Sequence, residues 1–143
     1  MNFQLVGHLI SGQLVHTVLA HRRKTESRLH LLGLHIGQEM ILLTLEQTDG
    51  LSQSELAALL DLDISTITKV VQRMERTGVV QRAADPDDAR VSRVYLTLHG
   101  RELCAACHMI WIDLEQQLTH GLTDVEQVLL HRLLTIVAKN LED

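Results

Sequence analysis

The chain has 143 residues, the size of one domain that buries about two thirds of its unfolded surface. Hydrophobic residues make up 45% of it and charged residues 22%, a composition that excludes intrinsic disorder. No apolar run reaches the ~20 residues of a membrane span and no signal peptide is recognised, so we expect a cytoplasmic protein without membrane contact. The formal net charge of −5 argues against a uniformly basic, nucleic-acid-binding surface.

Apolar residues recur at helical spacing at the start of the chain and predict one long helix over residues 3–32, ending near Gly33. A second helix is predicted over residues 35–47, with a stop at the Asp49-Gly50 pair. Both segments are rich in leucine and isoleucine. Because aromatic residues form only 2% of the chain, aliphatic side chains must build the core.

Two short helices are predicted next, over residues 52–60 and 63–77. In the run "LSQSEL", Ser52 as N-cap with Glu55 three positions later forms a capping box, which marks a helix start. Asp63 is the N-cap candidate of the following helix. Two short helices joined by a few residues are typical of a helix-turn-helix.

After Gly78 the pattern changes to that of strands. The β-prone runs "VVQRA" and "SRVYLT" flank a turn-rich loop and predict a hairpin with a long tip. Thr97 is predicted to cap another helix, and a last helix is expected to begin after Thr123. The whole order predicts a mainly α fold with a small β-hairpin wing, of the α+β class.

The second helix of the helix-turn-helix has two different faces. Its apolar stripe consists of Ile67, Val70, Val71 and Met74. The opposite face carries hydroxyl, amide and cationic groups and no acid: Ser65, Thr66, Thr68, Lys69, Gln72 and Arg73. These groups hydrogen-bond base edges and phosphates in a major groove, so the face is predicted to bind DNA.

The surrounding charge supports that prediction. Residues 64–93 contain six basic and four acidic residues, a net charge of +2, whereas the remainder contains 7 basic and 14 acidic residues, a net charge of −7. A positive region on an acidic body can still bind phosphate, because charges more than ~10 Å away are largely screened.

The run from Leu51 to Gly100 resembles the winged helix-turn-helix core of the MarR family, the multiple-antibiotic-resistance type of bacterial transcription regulator. The matching motifs are "QSELA", "STITKVVQRME", "GVVQR" and a wing of the form D-x-R…V-x-LT-x-x-G. The resemblance covers the whole chain, since the family has long flanking helices that form its dimer. It implies a sequence-specific DNA-binding regulator, often a repressor, that binds a pseudo-palindromic operator as a homodimer.

The resemblance also implies a division of roles. Residues 35–100 are the DNA-binding region, and residues 1–32 and 101–143 form the helical dimerisation region of a single chain unit. The family's recognition-helix contacts fall on Ser65, Thr66, Thr68, Lys69 and Arg73. Its wing contact falls on Arg90, which Asp88 holds in place. A small-molecule effector is a further implied partner, although Glu39 stands where members often carry an aromatic residue of a ligand pocket.

The loop "DPDDARVSRVYLT" has its own prediction. Arg90 at a hairpin tip is placed to enter a narrow, A·T-rich minor groove, where negative potential is concentrated. Asp88 is predicted to accept hydrogen bonds from Arg90 or from Arg82 and so to restrain the tip. Pro86 stiffens the turn. The remaining acids are expected to cap turns: Asp85 and Asp87.

Apolar residues in the terminal helices exceed what one small domain can bury, and they predict pairing across a two-fold axis. The residues concerned are Leu5, Leu9, Leu129, Leu133 and Val137.

Four other chemistries remain open. "CAACH", residues 104–108, has the spacing of a haem-attachment site, and Cys104 and Cys107 could instead sense oxidants, although buried inert cysteines are the favoured interpretation. The nine histidines raise a metal-sensing alternative, yet no pair has i, i+4 spacing. An enzyme is the last alternative, but no nucleophile motif or phosphate loop is present. We therefore expect no catalytic residue, cofactor or metal.

Overall fold

A computed structural model describes residues 6–142, which form six helices and three short strands. Their bounds are α1 Ile10–Leu31, α2 Gln38–Gln47, β1 Leu51–Ser52, α3 Gln53–Leu60, α4 Ile64–Arg76, β2 Val80–Ala84, β3 Ser92–Leu96, α5 Leu98–Leu118 and α6 Asp124–Leu141. The mainly α fold with a hairpin wing is confirmed. None of the helices in this described part is long and apolar enough to span a membrane.

The chain divides into two compact units, residues 1–111 and residues 112–143. The first holds α1 to α4, the sheet and most of α5, while the second holds the end of α5 and α6. As the composition predicts, the core of the first unit is aliphatic, and its fully buried side chains include Leu29, Ile41, Leu42, Leu45, Leu56, Ile67, Val71, Met74 and Val94.

The predicted starts of the first two helices are wrong. Residues 3–5 lie outside the described part, and α1 begins only at Ile10 because residues 6–8 form a turn that packs against the helix at Gly12. A Cβ atom at Gly12 would lie 2.1 Å from the carbonyl oxygen of Val6, so only glycine permits this contact. Helix α2 begins at Gln38 because Gly37 has a φ of +94°, which no helix includes.

The start of the helix-turn-helix is confirmed in detail. Ser52 Oγ accepts a hydrogen bond from Glu55 N at 3.1 Å, and Glu55 Oε2 accepts one from Ser52 N at 2.7 Å. This reciprocal pair satisfies two amide groups that a helix start leaves without partners. Asp63 occupies the N-cap position of α4, as predicted, but its side chain makes no capping hydrogen bond.

The wing is a three-stranded antiparallel sheet rather than a two-stranded hairpin. The strand order is β1-β3-β2, with Leu51 opposite Val94 and Val80 opposite Leu96. β1 was not predicted because two residues are too few to show a period. Gly50 precedes it with a φ of +77°, and a Cβ there would lie 2.7 Å from the ring of Tyr95.

The two last helices begin where the sequence predicts. Thr97 Oγ1 accepts a hydrogen bond from Gly100 N at 3.0 Å at the start of α5. Thr123 forms a second capping box with Glu126 at the start of α6.

Candidate nucleic-acid interface

Helix α4 packs its apolar stripe inward. Ile67, Val71 and Met74 are fully buried and Val70 is half-buried, so α4 is fixed to the first unit along one side only. Helix α3 lies against it and is joined to it by a short connection. This arrangement leaves the polar face of α4 free, as a recognition helix requires.

The predicted DNA-binding residues of α4 share that free face, with one exception. Five polar side chains are exposed there: Ser65, Thr66, Lys69, Gln72 and Arg73. Thr68 is half-buried, and its hydroxyl lies 2.6 Å from Gln53 Oε1 and 2.8 Å from the carbonyl oxygen of Ile64. The Thr68 hydroxyl therefore joins α4 to α3, and a DNA contact by Thr68 would compete with this bond.

The wing tip is held by Asp85. Its Oδ1 atom accepts hydrogen bonds from Asp87 N at 2.8 Å and Asp88 N at 3.0 Å, and its other oxygen pairs with the guanidinium of Arg93. The Arg93 bond, followed by the two amide bonds, lowers the pKa of Asp85. The turn-capping role predicted for Asp85 is confirmed. For Asp87 it is wrong, because Asp87 contributes its backbone N–H and not its carboxylate.

Asp88 holds Arg90 through a forked contact. Arg90 Nε donates to Asp88 Oδ1 at 3.0 Å and Nη2 donates to Oδ2 at 3.1 Å, while the backbone N of Arg90 donates to Oδ1 at 3.1 Å. The Arg90 side chain stays 90% exposed. These bonds lower the pKa of Asp88. The alternative partner, Arg82, instead pairs with Glu75 Oε2 at 2.5 Å.

Arg93 connects the wing to the helix-turn-helix, a role that its position in the sequence did not predict. Its Nη1 donates to the carbonyl oxygen of Gly50 at 2.9 Å and lies 3.4 Å from Glu55 Oε2, while its Nε pairs with Asp85. Glu55 Oε2 is the same atom that completes the capping box. One guanidinium thus joins the wing tip, the turn before β1 and the start of α3.

Asp49 forms a second junction at the base of the wing. Its Oδ1 accepts a hydrogen bond from Leu96 N at 2.9 Å, and its Oδ2 accepts one from Arg101 Nη2 at 2.5 Å. Asp49 and Gly50, predicted only as a helix stop, therefore also fix the position of β3 and α5. The one sequence signal for this role is an acidic residue directly before a glycine.

The alternative chemistries find little support in the described residues. Cys104 and Cys107 are free thiols with no exposed surface. Burial raises the pKa of both, that of Cys107 to about 12. A thiol in this state is a poor nucleophile, and neither sulfur is open to a haem vinyl group. Residues 6–142 contain no cluster of three potential metal ligands.

Glu39, which the resemblance noted above places where an aromatic residue is common, is buried. Its Oε2 accepts a hydrogen bond from Gly37 N at 2.7 Å. Burial raises the pKa of Glu39 despite that bond. The residue caps the start of α2 from inside the first unit.

Comparison with known proteins identifies similar regulators. The model of the MarR family matches residues 34–92. The transcriptional repressor IacR of Pseudomonas putida is 33% identical over 125 residues, which cover 85% of this chain and 75% of the relative. The multiple antibiotic resistance protein MarR of Escherichia coli is 31% identical over 125 residues, covering 86% of this chain and 87% of the relative.

Solved structures with DNA are similar over nearly the whole chain. A cysteine-to-serine mutant of Escherichia coli MarR complexed with operator DNA has a TM-score of 0.81 and 31% identity, covering 94% of this chain and 98% of that chain. The complex of Staphylococcus aureus MepR with DNA has a TM-score of 0.85 and 25% identity, covering 93% and 98%.

Proposed function

Because the chain belongs to the MarR family of DNA-binding transcription regulators, we propose that it is a repressor that binds a pseudo-palindromic operator as a homodimer. The observation that carries this proposal is the free polar face of α4 beside a wing that presents one exposed arginine. The repressor role is supported by the similarity to IacR, which is named a repressor. Its site of action is the cytoplasm, and its function is regulation rather than catalysis.

The dimer is supported by the apolar surface of the terminal helices. No described residue of α6 is buried, and Val125 and Val128 are 77% and 72% exposed. Other exposed apolar residues are Leu9, Ile10, Val15 and Val18 near the start of the chain and Leu129, Leu133, Leu134 and Ile136 in α6. Val137 is half-buried, and Leu5 lies outside the described residues. Such a surface is typical of an interface between copies.

Light scattering at micromolar concentration tests the dimer. We expect twice the chain mass for the wild type and a shift toward the single-chain mass for Leu129→Glu combined with Leu133→Glu. A control for an added negative charge is Leu98→Glu, which places one glutamate at an exposed leucine at the start of α5. A single-chain mass for the wild type contradicts the dimer, and with it the ~34 Å spacing of two recognition helices on a pseudo-palindrome.

The α4 contacts are tested by the salt dependence of DNA affinity. Among the described residues, no carboxylate forms an ion pair with Lys69 or Arg73, so both charges are available to phosphates. Removing one phosphate-binding charge should lower the slope of log affinity against log salt by about one unit. Lys69→Ala and Arg73→Ala are therefore expected to bind more weakly with shallower slopes. Wild-type affinity and salt slope in both variants would contradict a DNA contact by this face of α4.

The wing contact is tested at Arg90. Arg90→Ala should weaken operator binding while the fold and the mass of the dimer stay unchanged. Arg90→Lys should bind more tightly than Arg90→Ala but more weakly than the wild type, because an ammonium lacks the planar fork of donors. Asp88→Ala should have a smaller effect, since it removes the restraint and leaves the cation. Asp87→Ala is the matched control, because its carboxylate has no partner among the described residues. Wild-type affinity in Arg90→Ala at physiological salt contradicts a groove contact by the wing.

The operator and the sign of regulation follow from two further measurements. Genomic fragments bound by the purified protein should share a two-fold-related sequence whose half-sites lie one helical turn apart. A reporter gene downstream of such a fragment should be less active with the protein than without it. Higher reporter activity with the protein than without it would mean that the protein is an activator, and the proposal that it binds DNA would stand. A small-molecule effector of the proposed regulator would then be found as a compound that lowers binding to that fragment.

A further inference from the structure

A cavity of about 350 Å³ lies at the C-terminal end of α4, between that helix end and the turn that connects α1 to α2. Its lining contains two guanidinium groups, one imidazole, one amide and one hydroxyl, but no carboxylate: Gly33, His35, Gln38, Arg73, Arg76 and Thr77. Such a donor set recognises an oxyanion. Only Arg73 among these residues belongs to the predicted DNA-binding set.

The charges around the cavity differ from those of the wing. The three wing cations each have an acidic partner within the chain: Arg82 with Glu75, Arg90 with Asp88, and Arg93 with Asp85. Arg73 and Arg76 have none among the described residues, and Arg76 donates only to the carbonyl oxygen of Gln72, at 3.4 Å. Positive charge without an acidic partner in this part of the molecule therefore lies along α4, at Lys69, Arg73 and Arg76, and two of these three cations are in its last turn.

The length of α4 indicates what anion reaches this point. The N-terminal residues of a recognition helix contact base edges. Arg76 lies 11 residues after Ser65, which is about 16 Å along the helix axis, whereas the major groove is about 12 Å wide. For a helix that enters the groove by its N-terminus, so that Ser65 contacts bases and the axis runs across the groove, the far end of α4 lies at the sugar–phosphate backbone.

We propose that this cavity binds a phosphate of the DNA backbone through Arg73, Arg76 and His35, an inference that rests on the proposed function. Gln38, which is buried, fixes the cavity wall by accepting a hydrogen bond from His35 N at 3.0 Å. The contact fixes the position of α4 along the groove without reading sequence. It assigns DNA-binding roles to His35 and Arg76, which neither the recognition face nor the wing includes.

The test measures fluorescence anisotropy of a short random-sequence duplex at a series of chloride concentrations, because this affinity is electrostatic and needs no known operator. Arg76→Gln should lower the salt slope by about one unit for each cavity that no longer binds a phosphate, hence by about two for a dimer. Arg76→Lys keeps the charge at the end of α4 and should retain most of the slope. Urea unfolding of each variant confirms that the fold is intact.

The outcomes separate this inference from the proposed function. A wild-type slope in Arg76→Gln, together with a reduced slope in Lys69→Ala, overturns the cavity contact and leaves DNA binding by α4 in place. Absence of duplex binding by the wild type overturns the proposed function itself. A second arm uses inorganic phosphate at matched ionic strength. Thermal stabilisation of the wild type but not of Arg76→Gln by phosphate, with equal duplex slopes, would assign the cavity to a free anion and overturn the backbone contact.

Discussion

The two cysteines allow a quantitative prediction about oxidant sensing. At pH 8 an ordinary cysteine with a pKa of about 8.5 is about one quarter thiolate, whereas a thiol with a pKa of about 12, as for Cys107, has about one thiolate in 10⁴. The greater basicity of that thiolate raises its intrinsic reactivity by about 30- to 50-fold. The net chemical effect is a reaction about 50- to 100-fold slower, and burial of both sulfurs slows it further.

The assay is titration with 5,5′-dithiobis(2-nitrobenzoic acid) at pH 8, with the same chain in guanidinium chloride as internal reference. We expect two rapid thiols per chain in the unfolded protein. In the native protein Cys107 should react at least ~50-fold more slowly, and Cys104 should also be slowed, because burial covers its sulfur and raises its pKa. Cys104→Ser and Cys107→Ser assign the two phases. Native rates within a few-fold of the unfolded rate would refute the structural reasoning, and loss of DNA binding after brief peroxide treatment would restore the oxidant-sensing alternative.

Three stability predictions follow from groups described above. Ser52→Ala should lower the free energy of unfolding by about 1 kcal/mol in urea, because the start of α3 loses its cap; an unchanged midpoint would contradict this. Glu39→Gln keeps an acceptor for Gly37 N and removes a buried charge, so at pH 7 it should be at least as stable as the wild type, with the difference shrinking as the pH falls toward ~4.5, where the native wild type has taken up the proton; a clear loss at pH 7 would be the opposite result. Between pH 9 and 12 the unfolded chain loses the Cys107 proton before the native state does. The free energy of unfolding should therefore fall as the pH rises, by about 1–2 kcal/mol at pH 10. Cys107→Ala should flatten that pH dependence.

Local signals in the sequence predicted most of the helix-turn-helix and the wing. The capping box of Ser52 and Glu55 involves residues three apart, and the two faces of α4 repeat every turn, so both are visible in a short window. The forked pairing of Arg90 with Asp88 likewise joins residues two apart. Each of these could be predicted because the chain geometry alone brings the groups together.

Contacts between distant residues could not be predicted in this way. Arg93 and Gly50 are 43 residues apart, and Asp49 and Arg101 are 52 apart. Nothing in the spacing of these residues indicates the pairing, because it depends on how β3 returns beside β1. The cavity at the end of α4 has the same origin, since it combines the α1–α2 turn with residues about forty positions later.

Glycines account for the errors at the first two helices. Helical spacing continues through Gly7, Gly12 and Gly37, so a pattern of apolar residues extends across them. The backbone is not helical throughout this pattern. Gly37 adopts a left-handed φ, and the carbonyl group of Val6 occupies the space that a side chain at position 12 would fill. The spacing of apolar residues indicates which face of a helix each residue lies on, but not the residue at which the helix begins.

The pairing of Arg90 with Asp88 also sets the role of salt at the wing. A lysine or arginine without an acidic partner contributes to DNA affinity by releasing cations that are condensed on the duplex. This contribution grows as the salt concentration falls. The Arg90–Asp88 pair carries no net charge, so a groove contact by Arg90 exchanges its carboxylate partner for the groove and changes little the number of cations released from the duplex. On the proposed function, the wing therefore selects narrow, strongly negative grooves at any ionic strength, while α4 supplies the part of the affinity that rises and falls with the salt content of the cell.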